Sequence, residues 1–276
     1  MKVVGILVSY NSAADLPLSL GSLAALPVSD IVVVDNASSD DSAEIALTYT
    51  PHVLRLPNVG FGKAINAAVE YLPGADAYLL INPDCGIHLA DFHKLTGALT
   101  ADPALGAVAP LMRYPNGEFG ISAGPEMSIA KEWLAALRVD HLVPRRARAA
   151  LSRSRLLRRL VPMLAYLDTK PAAAIQHTAW VSGFCMLVRR EAFEQVGGFD
   201  PAFFLYFEDV DLCKRMRASG WRVGSVGTSV ALHRESTSTG AVGKNRLYRD
   251  GMVVYFDRHG ARIERVLARA LRRFPL

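Results

Sequence analysis

The chain has 276 residues, 51% of them hydrophobic, and a formal charge of +5, enough apolar surface for one large domain or two closely joined halves. Apolar runs such as Val3 to Val8 and Ala77 to Ile81 are too short to span a bilayer, and Met1-Lys2 leads into a strand pattern rather than a secretory signal. Cys85, Cys185 and Cys213 lie too far apart for a disulfide framework or paired zinc ligands, so the expectation is a cytosolic protein with reduced thiols.

In chain order, VVGILVSYN, IVVVDNASSD and AYLLINPDC are short β-branched or leucine-rich runs, each closed by a polar cluster, as buried parallel strands are. Helical patterns fall between them, from Ala13 to Leu26, from Ser42 to Thr48 and, after the turn NVGFG, from Gly62 to Leu72. This alternation predicts a doubly wound α/β sheet, whose ligands gather beyond the carboxyl ends of its strands. Here those ends carry Tyr10-Asn11, Asp35-Asn36 and Asn82 to Asp84. A dinucleotide site is excluded because SYNSAADL, not a glycine-rich turn, follows the first strand; a P-loop is also missing.

After Pro110 the pattern loosens, with a turn at Tyr114-Pro-Asn-Gly117 and then RRARAALSRSRLLRR, which holds seven arginines between Arg145 and Arg159. Leu156, Leu157, Leu160, Val161 and Leu164 give that insertion an apolar helical face. Order returns at AWVSGFCMLVRREAFEQVGGFD, with a strand through Met186 to Val188, a short helix from Arg190 and a turn at Gly197-Gly198. Next, FFLYFEDVDLC ends an aromatic run in Glu208, Asp209 and Asp211. Carboxylates beside Phe204, Tyr206 and Phe207 lose hydration, which raises a pKa toward the range of a general base. Read alone, the same acids would cap the helix that Lys214, Arg215, Arg217 and Gly220 bring to its end. At the C-terminus, Ile263, Val266, Leu267, Ala270, Leu271 and Phe274 follow helical spacing among five arginines. Both basic helices suit either a solvated surface or an anionic membrane; nucleic acid is not expected, since no finger spacing or aromatic RNA-binding signature accompanies them.

The ordered set VSYNS, VVDNASSD, NVGFGKAIN, INPD, WVSGFCMLVRREAFEQVGGFD and FFLYFEDVDLCKRMRASGW resembles family 2 glycosyltransferases, most closely the rhamnosyltransferase-like branch. The resemblance implies a GT-A fold in a single domain. Residues 1–110 would form the nucleotide-sugar half and 111–240 the acceptor and catalytic half, with the basic insertion near 140–165 and a basic helical region at 241–276. It also implies an inverting transfer from a nucleoside diphosphate sugar, with dTDP-L-rhamnose favoured over a UDP-sugar. The acceptor would be a glycan or polyprenyl-diphosphate-linked sugar of the cell envelope, met at the inner face of the membrane.

Carried onto this chain, the resemblance makes Asp35 the acceptor for a pyrimidine N–H, with Tyr10, Asn11 and Asn36 beside it and Gly60, Phe61, Asn66 and Asn82 completing the donor contacts. Asn82-Pro83-Asp84 stands where the family's acidic metal motif lies, so Asp84 would be the main protein anion at a Mg²⁺ or Mn²⁺ ion, joined by His233. Asp209 would be the catalytic base, with Glu208, Asp211, Trp180 and Gly183 toward the acceptor. Two other readings compete: a noncatalytic nucleotide-sugar or membrane-associated binding subunit, and a sugar nucleotidyltransferase, whose basic activating loop VSYNSAADL lacks.

Overall fold

A computed structural model describes residues 1–137, 175–234 and 241–274 of the chain; the arginine-rich stretch 145–159 lies outside the described residues. The first strand, β1 (Val3–Ser9), is buried along its whole length. Its side chains divide by parity. Val3 and Leu7 pack with α1 (Leu16–Ala24) and α4 (Leu89–Ala101), whereas Val4, Ile6 and Val8 pack with α3 (Phe61–Tyr71). A strand covered on both faces needs apolar residues at every position, which explains the unbroken runs in the sequence.

Among the described residues nine strands form one sheet. Along its main path the order is β3 (Val53–Arg55), β2 (Asp30–Asp35), β1, β4 (Ala77–Ile81), β10 (Cys185–Arg189), β6 (Leu105–Arg113), β11 (Arg222–His233) and β5 (Cys85–Ile87), and β8 (Ile175–His177) also pairs with β11. As expected, β1, β2 and β4 are parallel. The antiparallel strand β10 joins β4 to β6, so the two parts of the chain share a single sheet. Neither β3 nor β6 was foreseen. β6 contains Pro110, which cannot donate to a ladder, and the pairing with β11 shifts register there, from Val226 opposite Pro110 to Val230 opposite Leu111.

The helices expected before Leu72 are present, with α2 at Ser42–Leu47, but α1 starts later than its periodicity suggested because Ser12 to Asp15 form a turn ahead of Pro17. On the α3 side of the sheet lie α6 (Arg190–Gln195) and α7 (Glu208–Ala218). A two-stranded ribbon, β7 (Ala123–Gly124) with β9 (Trp180–Val181), leads into a third apolar cluster. That cluster joins α5 (Ile129–Ala136), the aromatic residues Phe203 and Phe207, α8 (Ala241–His259) and α9 (Arg262–Arg273).

Candidate active site

The polar ends of β1 and β2 meet, while of the three predicted strand ends only Asn82 of the third lines the main cavity. Asn36, which follows β2, donates its backbone N–H to Ser9 at the end of β1. Asp35 is buried. One carboxylate oxygen accepts the Ser38 N–H at 3.3 Å in an Asx-type contact, while Oδ1 is buried without a hydrogen-bond partner. Asn11 ties the neighbouring loop down by accepting from Ser39 N at 2.8 Å and donating its own N–H to Ser38 Oγ at 3.0 Å. Tyr10, by contrast, presents an exposed ring.

Asn36 shapes the next turn, accepting from Val59 N at 3.1 Å and donating to Asn58 Oδ1 at 3.1 Å. Gly60 then adopts φ 89°, and a Cβ there would lie 2.3 Å from the Phe204 carbonyl oxygen, which accepts the Phe61 N–H at 2.9 Å. Asn66 was expected to contact a donor. Instead its amide donates to the Phe199 carbonyl at 2.8 Å and accepts from the Phe199 N–H at 2.9 Å, so it fastens α3 to the glycine turn ahead of the carboxylates.

A cavity of about 360 Å³ opens between the sheet edge and the third apolar cluster, and Phe61, Asn82, Trp180, Gly183, Glu208 and Asp209 all line it. Tyr206 and Phe207 both take φ 69°, a left-handed conformation that bulky residues adopt only when their surroundings impose it. That bend leads the chain into α7 with Glu208 and Asp209 at the cavity. Asp209 accepts the Gly183 N–H at 2.9 Å and the Val210 N–H at 2.8 Å. Burial raises its pKa, and those donors oppose the rise. Glu208 Oε2 is buried without a hydrogen-bond partner; burial first, and the charge of Asp209 second, push its pKa up to about 8. The two neighbouring carboxyls thus differ in their surroundings: Glu208 has an oxygen with no donor, and Asp209 retains N–H donors that favour the anion.

Asp211 does not belong with the acceptor contacts expected of it. It is fully buried, accepts from Arg215 Nε at 2.8 Å and lies 2.7 Å from His259 Nε2, tying α7 to α8. Trp180 lines the cavity while its indole N–H is held by the Pro125 carbonyl at 2.9 Å.

Two residues beyond Asn82, Asp84 is buried with its carboxylate 3.5 Å from His233 Nε2. The pairing of β5 with β11 sets His233 opposite Cys85, whose thiol lies 3.7 Å from Asp84 Oδ1. Ligand atoms of Asp84, Cys85 and His233 all fall within 4.8 Å of one another. His233 Nδ1 is buried without a hydrogen-bond partner. One carboxylate with one imidazole fits a borderline divalent ion better than a strictly oxygen-seeking one, and the thiol points the same way. Cys–Cys spacing gives no hint of Cys85; the signal for it is its place directly after Asp84. Lys131 and Tyr248 also line the cavity and carried no sequence signal, since only tertiary packing brings α5 and α8 there.

Among the described residues, no helix is long and apolar enough to cross a membrane. The apolar stripe expected on the C-terminal helix is split. Leu271 is buried, as is Ala268 outside the stripe, whereas Ala270 is exposed and Ile263 and Val266 are 64% and 57% exposed.

The model of glycosyl transferase family 2 matches residues 6–197. An N-acetylglucosaminyl-diphospho-decaprenol L-rhamnosyltransferase of Mycobacterium tuberculosis is 32% identical over 271 residues, covering 91% of this chain and 83% of its own length. The rhamnosyltransferase WbbL of Escherichia coli is 44% identical over a shorter stretch of 54 residues, 20% of each chain. Among solved structures, GalNAc-T7 with UDP, GalNAc and Mn²⁺ superposes with a TM-score of 0.59 at 14% identity, over 92% of this chain and 48% of its own. TarS of S. aureus in complex with UDP-GlcNAc gives 0.58 at 16% identity, over 98% and 70%. At these identities the structural matches speak to the fold alone.

Proposed function

The chain belongs to glycosyl transferase family 2 and has the GT-A fold, and from that premise we propose that it transfers L-rhamnose from dTDP-L-rhamnose to a sugar on a lipid diphosphate, in cell-envelope glycan synthesis. It is an inverting glycosyltransferase; the rhamnosyl donor and lipid-linked acceptor follow the activity named for its mycobacterial relative. The observation that carries the mechanism is the carboxyl pair Glu208–Asp209 at the cavity, with Asp209 held by the Gly183 N–H.

In this mechanism an acceptor hydroxyl lies against Asp209, which takes its proton as the oxygen attacks the anomeric carbon of the donor. The bond to the nucleoside diphosphate breaks with its electron pair leaving on the phosphate oxygen, and the anomeric configuration inverts. Glu208, protonated near neutrality, donates a hydrogen bond to the sugar being positioned. The unpartnered Asp35 Oδ1 supports a hydrogen bond from the pyrimidine N–H, with Tyr10 beside it. Asp84 and His233, with Cys85 beside them, would hold a divalent cation, Mn²⁺ in preference to Mg²⁺, whose charge would stabilise the diphosphate. The exposed basic face of α9 would rest on anionic lipid, where such an acceptor resides.

The test is Asp209→Asn, assayed by release of dTDP from dTDP-L-rhamnose with a short prenyl-diphosphoryl N-acetylglucosamine as acceptor, with EDTA or with added Mn²⁺. Transfer is expected to fall about 10³-fold while dTDP affinity stays within about three-fold, and EDTA should silence the native enzyme until Mn²⁺ is restored. An equal loss of nucleotide binding would make Asp209 a helix cap, and donor binding without turnover by the native protein would make it a binding subunit.

A further inference from the structure

Asp209 shares its cavity with residues from α5, the segment before it and α8, namely Lys131, Met127 and Tyr248, with Ile121 half exposed. Burial lowers the Lys131 pKa, which the charge of neighbouring Glu132 opposes. Glu132 is itself buried and accepts the Tyr248 hydroxyl at 3.1 Å, so one carboxylate orients a cavity-lining phenol and lies beside a cavity-lining ammonium. A cation taken out of water on an otherwise apolar wall is costly to keep, and it is most useful where an anion is to be received. Lysine serves this purpose as a compact point charge with three donors.

We propose that Lys131, with Tyr248 beside it, receives the diphosphate of the lipid-linked acceptor, while Met127 and Ile121 border the path of the first lipid carbons. This deepens the transferase reading and rests on it. An acceptor sugar with its hydroxyl at Asp209 carries its diphosphate on the far side of the ring. Lys131 is the cationic side chain among the described residues lining that same cavity. The assignment separates two phosphate sites: the donor's diphosphate belongs with Asp84 and His233 at the sheet edge, the acceptor's with α5.

The experiment compares native enzyme, Lys131→Met and Lys131→Arg on three acceptors bearing the same sugar: a prenyl diphosphate, a prenyl monophosphate and an octyl glycoside. For Lys131→Met, kcat/KM on the diphosphate is expected to fall at least about ten-fold more than on the octyl glycoside, mainly through KM, the size of one charge-assisted hydrogen bond. The monophosphate should be intermediate, Lys131→Arg should restore most of the loss, and thermal unfolding of the methionine variant should match the native protein. Equal losses on all three acceptors, or none, would overturn the assignment. Failure of the native enzyme on all three would instead remove the transferase reading, and the Lys131 assignment with it.

Discussion

Glu208 and Asp209 show how differently the protein can surround two adjacent buried carboxyls. Both are withdrawn from water, but Asp209 accepts two backbone N–H groups, while one oxygen of Glu208 has no partner. The Glu208 pKa, raised to about 8, has a consequence for stability. A carboxyl whose folded value exceeds its unfolded value stabilises the fold fully below the unfolded value, near 4.5, and loses that contribution as pH rises through the folded value. Glu208→Gln keeps the site neutral at every pH. Its melting temperature should therefore gain on the native protein between about pH 5 and 8, by on the order of 5 °C, and level off above that. Parallel melting curves from pH 5 to 9 would show that Glu208 ionises without penalty. The pair was legible in the sequence because charge follows directly on aromatic residues. The partners of Asn66 and Asp211 were not legible: Asn66 meets Phe199 across 133 residues of chain and Asp211 meets His259 across 48, and no local spacing reveals such contacts.

At the level of elements, the segment from Phe203 to Phe207 depends on two glycines that let backbone approach backbone. Gly60 admits the Phe204 carbonyl, and Gly251, inside α8, admits the Tyr206 carbonyl, which a Cβ would meet at 2.4 Å. Two effects of Gly251→Ala oppose each other. Alanine favours a helix interior by about 1 kcal/mol over glycine, yet here it must displace the strained bend at Tyr206 and Phe207 that leads into Glu208. A contact under 3 Å with backbone cannot be relieved by a rotamer change, so the collision wins. The variant should melt a few degrees lower and lose at least about ten-fold in kcat, measured by dTDP release. A more stable enzyme with unchanged turnover would show that the bend does not need this approach. Strands β1, β2 and β4 were legible because two-sided burial writes itself as continuous apolar runs. β6 was obscured by Pro110, whose missing donor coincides with the register shift against β11.

For the whole molecule, the order of motifs along the chain revealed the architecture, because each strand end of a doubly wound sheet delivers its polar residues to one edge. The C-terminal surface was less legible. Helical spacing grouped Ile263, Val266, Leu267, Ala270, Leu271 and Phe274 on one face, but packing divides them: Leu271 joins the third cluster, and Trp133 of α5 donates to the Leu267 carbonyl at 3.2 Å. Ile263 and Val266 remain outside among the exposed Arg262, Arg265 and Arg273, while Arg269 and Arg272 are engaged by Asp257 and Asp250 of α8. Since α9 packs on α5, the helix that carries Lys131, an outward face binding lipid would bring the acceptor wall near the membrane. Deleting α9 would strip Ala268 and Leu271 from the cluster and confuse unfolding with release. Ile263→Asp combined with Val266→Asp changes only exposed positions. It should leave the melting temperature unchanged and weaken sedimentation with phosphatidylglycerol vesicles at least about ten-fold, and binding of the native protein should itself fall with added salt. If native protein ignores anionic vesicles, or the double variant binds them equally, the arginines of α9 are a solvated surface and the acceptor reaches the cavity without membrane docking by this helix.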